Sequence, residues 1–271
     1  MSTAGPGGRI GSALGIPLRA SRLAMDGVRA EPAGLVVAAG FYLVVALALS
    51  GVWRSAAEAS GGSIVGYSTT ALVWYIATSE AAVMSLPFRL IDDIGVDIGS
   101  GRFASEMLRP ASALAVRVGG ELGRLVPRLA AIGATGVALG LLTGGRPPDA
   151  AALALALPAL LLALATNLLA QHAFAAIAFW VLDARSTWFL YQKLVFVLGG
   201  MLLPLEVLPD PVAAVARLLP FSAMAYVPAR LASGHFEPEL LLVQAFWLVA
   251  IGFVAHLVFR AGERHLVVEG S

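Results

Sequence analysis

No cysteine occurs among the 271 residues, so disulfides, thiol chemistry and zinc–thiolate sites are excluded. Charge is nearly as scarce: Asp, Glu, Lys and Arg make up 13% of the chain, against ~25% in an ordinary soluble domain. The 18 Lys and Arg against 17 Asp and Glu leave a net charge of +1, too little for the broad basic surface that nucleic-acid binding requires. The only lysine, Lys193 in YQKLV, follows no glycine-rich loop. A P-loop ATPase needs such a lysine to reach the β/γ-phosphates, so this chain does not hydrolyse ATP by itself. The histidines, His172, His235, His256 and His265, include no pair at i, i+4 and no HExxH, and no serine sits in GxSxG.

Apolar residues, by contrast, are 59% of the chain, and the mean hydropathy is +0.84. A water-soluble protein could not cover its surface with so few charges, so lipid is the solvent for most of the sequence. A helix needs roughly 20 mostly apolar residues to cross the bilayer. Six stretches qualify, at about 33–53, 62–86, 125–143, 150–182, 186–205 and 240–259. The third recruits Leu125 to Arg128, with Arg124 and Arg128 reaching to the headgroups; the fourth is long enough to tilt, kink or protrude. With both termini cytoplasmic, fourteen Lys and Arg fall inside and four outside, which sets the orientation by the positive-inside rule. The expected fold class is an all-α integral membrane protein: a leader over residues 1–31 and one transmembrane domain over 32–271.

The leader lacks the apolar core of a signal peptide. Residues 16–31, IPLRASRLAMDGVRAE, mix Ile16, Leu23 and Val28 with Arg19, Arg22 and Arg29, the pattern of a short amphipathic helix on the cytoplasmic leaflet. Residues 89–128 carry 11 of the 35 formal charges, far more than a connector between spans needs. Within them Ile91, Ile94, Val96 and Ile98 alternate with Asp92, Asp93 and Asp97. Gly99, Ser100 and Gly101 interrupt the chain, and Phe103 to Leu108 can form a short helix closed by Pro110. The proline-rich stretch Glu206 to Glu239 holds VAAVARLL and SAMAYVPARLA, two segments apolar enough to enter the bilayer but too short to cross it.

Polar residues inside spans are few. Glu80 is the only carboxylate within one, and two roles suit it: an interfacial residue at a frayed helix end, or a group in a substrate path. Asn167 and Gln171 share a helical face, with His172 beside them; interhelical hydrogen bonding is the commoner use of such residues, and a substrate path is the other.

RFASEMLRP, which follows an acidic segment and precedes GGELGRLVPRL, resembles the cytoplasmic region of ABC-2 type exporter permeases, in particular their small six-span branch. The run GGMLLPLEVLPDPVAAVARLLPFSAMAYVPARLASG, residues 199–234, is similar to that family's succession of G, PL, LP, LPF, Y, PA and G between the last two spans. The resemblance implies an N-terminal elbow helix, a cytoplasmic coupling helix between spans 2 and 3, and two short extracellular re-entrant helices between spans 5 and 6. It also implies a permease that pairs with a second, identical or homologous permease in the bacterial plasma membrane. Separate ABC ATPase subunits would carry ATP and Mg, and no cofactor would be bound by this chain.

Asp92, Asp93, Asp97, Arg102, Phe103, Glu106, Met107 and Arg109 are then the expected ATPase-coupling residues, Phe103 and Met107 as apolar anchors. Glu80, Asn167, Gln171 and His172 are the candidates for a substrate path or for interhelical contacts. Spans rich in Leu, Ala and Val suit a hydrophobic or amphipathic substrate such as a lipid, drug or natural product. A passive channel or assembly scaffold ranks second. An intramembrane lipid-modifying enzyme or protease using His172, Glu80 and a serine ranks third, because too few polar groups are available to converge.

Overall fold

A computed structural model describes residues 6–87, 89–108, 112–144, 149–181 and 185–269. Helices α1 (Pro6–Ala30) and α2 (Pro32–Ala59) are separated only by Glu31. Pro32 opens α2, where a missing N–H costs nothing. A two-residue hairpin, β1 (Ser63–Ile64) with β2 (Tyr67–Ser68), leads into α3 (Thr69–Met84). Its turn residues, Val65 and Gly66, both have positive φ, the backbone that matches the twist of a tight hairpin. Ser68 then caps α3 by accepting from the Ala71 N–H at 3.2 Å.

Next come α4 (Leu90–Gly99) and α5 (Arg102–Met107), joined through Gly101 in the left-handed conformation, then α6 (Ala113–Leu139), which continues as one π turn to Gly144. Helix α7 (Ala150–Ala175) ends in a single 3₁₀ turn reaching Phe179. After α8 (Arg185–Leu198) come three short helices, α9 (Asp210–Leu218), α10 (Pro220–Met224) and α11 (Tyr226–Ala232), and finally α12 (Leu240–Glu269).

Among the described residues, four helices are long and apolar enough to cross a membrane: Pro32–Ala59, Ala113–Gly144, Ala154–Phe179 and Leu240–Leu266. Two expected spans differ from the sequence reading. Over 62–86 the glycine-rich start folds as the hairpin, leaving 16 helical residues in α3, and over 186–205 the helix stops at Leu198, leaving 14 in α8. The third stretch does not begin near 125, because α6 starts at Ala113 behind a Ser112 cap. Three short helices, not two, fill the proline-rich stretch.

Helix α3 is central. Leu72, Val73, Tyr75, Ile76, Ser79 and Glu80 are all buried, so every face of it is covered. It packs against α2, α6, α7 and α11. Helices α2 and α12 are peripheral and turn Val36, Val37, Val44, Leu242, Phe246 and Val249 outward. Beside α3 the chain is irregular from Gly199 to Pro204, and its carbonyls are met by side chains. Tyr75 donates to the Gly200 oxygen at 2.6 Å, Ser79 to Met201 at 2.9 Å, and Trp53 Nε1 to Leu202 at 2.9 Å. Non-helical backbone in an apolar surround is tolerated when it is satisfied in this way.

The amphipathic segment expected from residue 16 is helical from Pro6. It lies along α6 because Gly119 and Gly123 leave room: a Cβ at Gly119 would meet the Pro17 carbonyl oxygen at 2.6 Å, and one at Gly123 would overlap the Ser21 carbonyl.

The helices have two distinguishable ends. At one, the hairpin meets the 205–239 stretch through Tyr67 and Glu206, and the first turn of α3 meets the end of α6, Thr70 donating to the Gly144 oxygen. At the other, α4 and α5 meet the ends of α7 and α12 through Phe103, Phe179 and Phe259.

Candidate functional site

The charged stretch folds into a helical hook. On α4, Leu90, Ile91, Ile94 and Ile98 are buried and Asp93 is exposed, so the alternation read in the sequence resolves into a helical stripe. Val96 falls off that stripe and is 59% exposed. Asp92 and Asp93 stand in the first turn of α4, where the helix dipole favours negative charge.

The hook is braced by a residue that the sequence reading did not single out. Arg117, on α6, binds Asp97 of α4 at 2.8 Å and Glu106 of α5 at 2.8 Å, and its guanidinium lies 5.4 Å from the Phe103 ring centre. Arg102 adds a second, more exposed pair to Asp97 at 2.6 Å. The available signal was the spacing of Arg117 from two carboxylates, one on each helix of the hook.

Phe103, expected as an apolar anchor for a partner, is instead completely buried between Phe179 and Phe259. Met107 is half-buried against the same cluster. The outward apolar groups are Val96 and Leu108, the latter 87% exposed. Arg109 and Pro110 lie outside the described residues.

Glu80 is not at a frayed end. It is fully buried in α3, and neither carboxylate oxygen has a hydrogen-bond partner among the described residues. Asn167 and Gln171 come together as their spacing suggests, Gln171 Nε2 donating to Asn167 Oδ1 at 3.1 Å. Tyr191 of α8 donates to the same oxygen at 2.5 Å and so joins α7 to α8. His172 is buried with Nδ1 2.8 Å from the Leu168 carbonyl oxygen, and its Nε2 has no partner among the described residues. Lys193 rests over the rings of Phe189 and Phe196, 4.9 and 5.6 Å from their centres.

At the opposite end a second arginine collects charge. Arg230 binds Glu206 at 2.9 Å, Glu237 at 2.5 Å and the Tyr67 hydroxyl at 2.8 Å, and Tyr226 donates to Glu206 at 2.5 Å. Hydrogen bonds from Arg230 hold the Glu237 carboxyl below the usual carboxylate range. Burial, reinforced by the Arg230 charge, pulls His235 below the usual imidazole value.

The Ser233 hydroxyl lies within hydrogen-bond reach of both His235 Nδ1, at 3.1 Å, and the Arg230 carbonyl oxygen, at 2.7 Å. Among the described residues no group of three His, Asp or Glu is arranged to hold a metal ion.

Among curated proteins and among solved structures, none matches the chain. The family model described as ABC-2 family transporter protein matches residues 39–270. A match over most of the chain, on a helical bundle with long apolar helices and a braced charged hook, places this protein in the ABC-2 transporter family.

Proposed function

We propose that the chain is the permease subunit of an ATP-driven exporter, crossing the bacterial plasma membrane six times with both termini cytoplasmic. Membership of the ABC-2 family makes it a permease of an ABC transporter and implies an ABC ATPase subunit as partner. In this reading α3 crosses together with the hairpin before it, and α8 together with the irregular segment after it. Helix α1 is the elbow, α4 and α5 are the coupling unit, and α9 to α11 form the extracellular re-entrant group. ATP and Mg belong to the partner, and a second permease, identical or homologous, completes the pathway.

The observation that carries the reading is the braced hook. Its carboxylates Asp97 and Glu106 are consumed internally by Arg117, while Asp93, Val96, Arg102 and Leu108 remain on its outside. A push from a closing pair of ATPases on that outer face moves α4 and α5 as one body. The Arg117 pairs pass the motion to α6, and Phe103 passes it to the ends of α7 and α12. An apolar cleft of about 360 Å³ between α3, α6 and α7, lined by Trp74, Ala77, Gly133 and Leu160 among others, supports a hydrophobic or amphipathic cargo.

Co-expression with the cognate ATPase tests this. The pair is expected to purify together, and Val96→Asp with Leu108→Asp is expected to abolish that association while the permease still folds. No copurifying ATPase would sink the permease reading, and undisturbed association in the double variant would sink the docking face.

A further inference from the structure

A cleft of about 820 Å³ opens between α1, α2 and α6, bordered by Ser85 and Pro87 just before the hook and distinct from the α3–α6–α7 cleft. Its walls are apolar, with Leu23 and Val28 from α1 and Val37 and Phe41 from α2, and α6 contributes Arg124 and Arg128. Arg124 is already neutralised by Glu121 at 2.6 Å. Arg128 is not: its Nε is buried and has no hydrogen-bond partner among the described residues. Arg128 lines the cleft as a partly buried guanidinium that makes no ion pair among the described residues, so the position favours a ligand that brings an oxyanion. Glu31, between α1 and α2, also lines the cleft; it is exposed and makes no capping hydrogen bond to α2. Among the described residues the mouth therefore offers one cation and one carboxylate without an ion-pair partner, Arg128 and Glu31, beside an apolar slot.

We propose that this cleft binds a membrane phospholipid whose headgroup carries both a phosphate and a primary ammonium, as phosphatidylethanolamine does. Arg128 donates to the phosphate, Glu31 accepts from the ammonium, and one acyl chain lies along Val37 and Phe41. The arginines of α1 that face outward, Arg19, Arg22 and Arg29, are those of a helix lying at headgroup level, which brings the cleft beside such lipids. Gly27 and Gly34 keep the slot open, for a Cβ at either would meet nothing within 4 Å.

The experiment is native mass spectrometry of the full chain in detergent, titrated separately with phosphatidylethanolamine, phosphatidylglycerol and phosphatidylcholine. Phosphatidylethanolamine adducts are expected to be the most persistent. Arg128→Gln should lower their occupancy by about tenfold, the equivalent of ~1.4 kcal/mol for one charged hydrogen bond. Glu31→Gln should erase the preference over phosphatidylcholine. Gly34→Leu should fill the slot and lower occupancy without changing charge or thermal midpoint. Unchanged occupancy in Arg128→Gln overturns the site, as does an equal loss in Arg19→Gln, which lies outside the cleft. Equal persistence of phosphatidylglycerol overturns the headgroup assignment. Displacement by inorganic phosphate alone shows a free-anion site and overturns the lipid. The site stands apart from the transport reading, since ATPase association does not depend on Arg128.

Discussion

Arg117 and Arg230 each gather two carboxylates, and they do so at opposite ends of the helices. Their side chains are similarly sheltered, 14% and 17% exposed. What they join differs. Arg117 reaches residues 20 and 11 positions back in one continuous stretch, so it makes a local hook rigid. Arg230 reaches Glu237 seven positions on, Glu206 24 positions back and Tyr67 163 positions back. It fastens the hairpin before α3 to the stretch before α12. A local tie preserves the shape of a part that is pushed. A tie between distant segments has to yield if those segments separate, so in the transport reading the Arg230 end is where an outward gate would break.

Removing Arg230 should have the largest effect, because its contacts to two carboxylates and a tyrosine hydroxyl are lost together and Glu237 is left without its cation. Arg230→Ala is expected to cost about 4 kcal/mol, within the range for breaking a buried ion pair. A thermal scan in detergent measures it, and a drop no larger than that of Arg117→Ala would remove the asymmetry. Arg117→Ala should cost about 3 kcal/mol and also uncouple ATP hydrolysis from transport in the reconstituted complex. If coupling survives, the hook does not transmit the push.

Glu80 sharpens the comparison, being a buried carboxyl group that no arginine among the described residues serves. Glu80→Gln should raise stability by about 1–2 kcal/mol, since a neutral amide is easier to bury than a carboxylate. A loss of stability would show that the carboxylate is held by a partner. Tyr226→Phe should cost about 1 kcal/mol, one hydrogen bond to Glu206.

The smallest expected effect is that of mild acid on the Arg230 end. Glu237 sits below its usual range, so its contribution is present at neutral pH and is lost as pH falls through its folded value. His235 is also lowered, so protonation favours the unfolded chain and works in the same direction. Between about pH 7 and about pH 3 the thermal midpoint should fall, and less so in a Glu237→Gln, His235→Gln double variant. A pH slope identical in the double variant would remove these two groups from the explanation.

Much of the hook was legible because its signals are local. The Gly99–Ser100–Gly101 break and the short helix after it follow from backbone preferences of neighbouring residues, and α5 ends at Met107. Phe103 was misjudged for the converse reason. An aromatic residue on a charged surface stretch reads as an anchor for a partner, and only the approach of Phe179 and Phe259 from distant helices covers it. The Asn167–Gln171 contact was visible as an i, i+4 spacing, whereas Tyr191 as its third member was not, because α8 had first to be placed beside α7. The glycine-rich hairpin was hidden inside an apolar run, since hydropathy does not register the positive φ that Gly61, Gly62 and Gly66 adopt.

By itself the sequence determined the solvent: 59% apolar residues with 13% charged can be satisfied only by lipid, and the scarcity of lysine, cysteine and catalytic motifs narrowed the chemistry. Composition and periodicity suffice there because hydrophobic burial adds up residue by residue. Only the tertiary structure decided which charges are spent on each other. Arg117 and Arg230 are paired while Arg128 and Glu80 are left without partners among the described residues. Ion pairing depends on separations of a few ångströms between side chains that the sequence can hold far apart, and packing sets those separations.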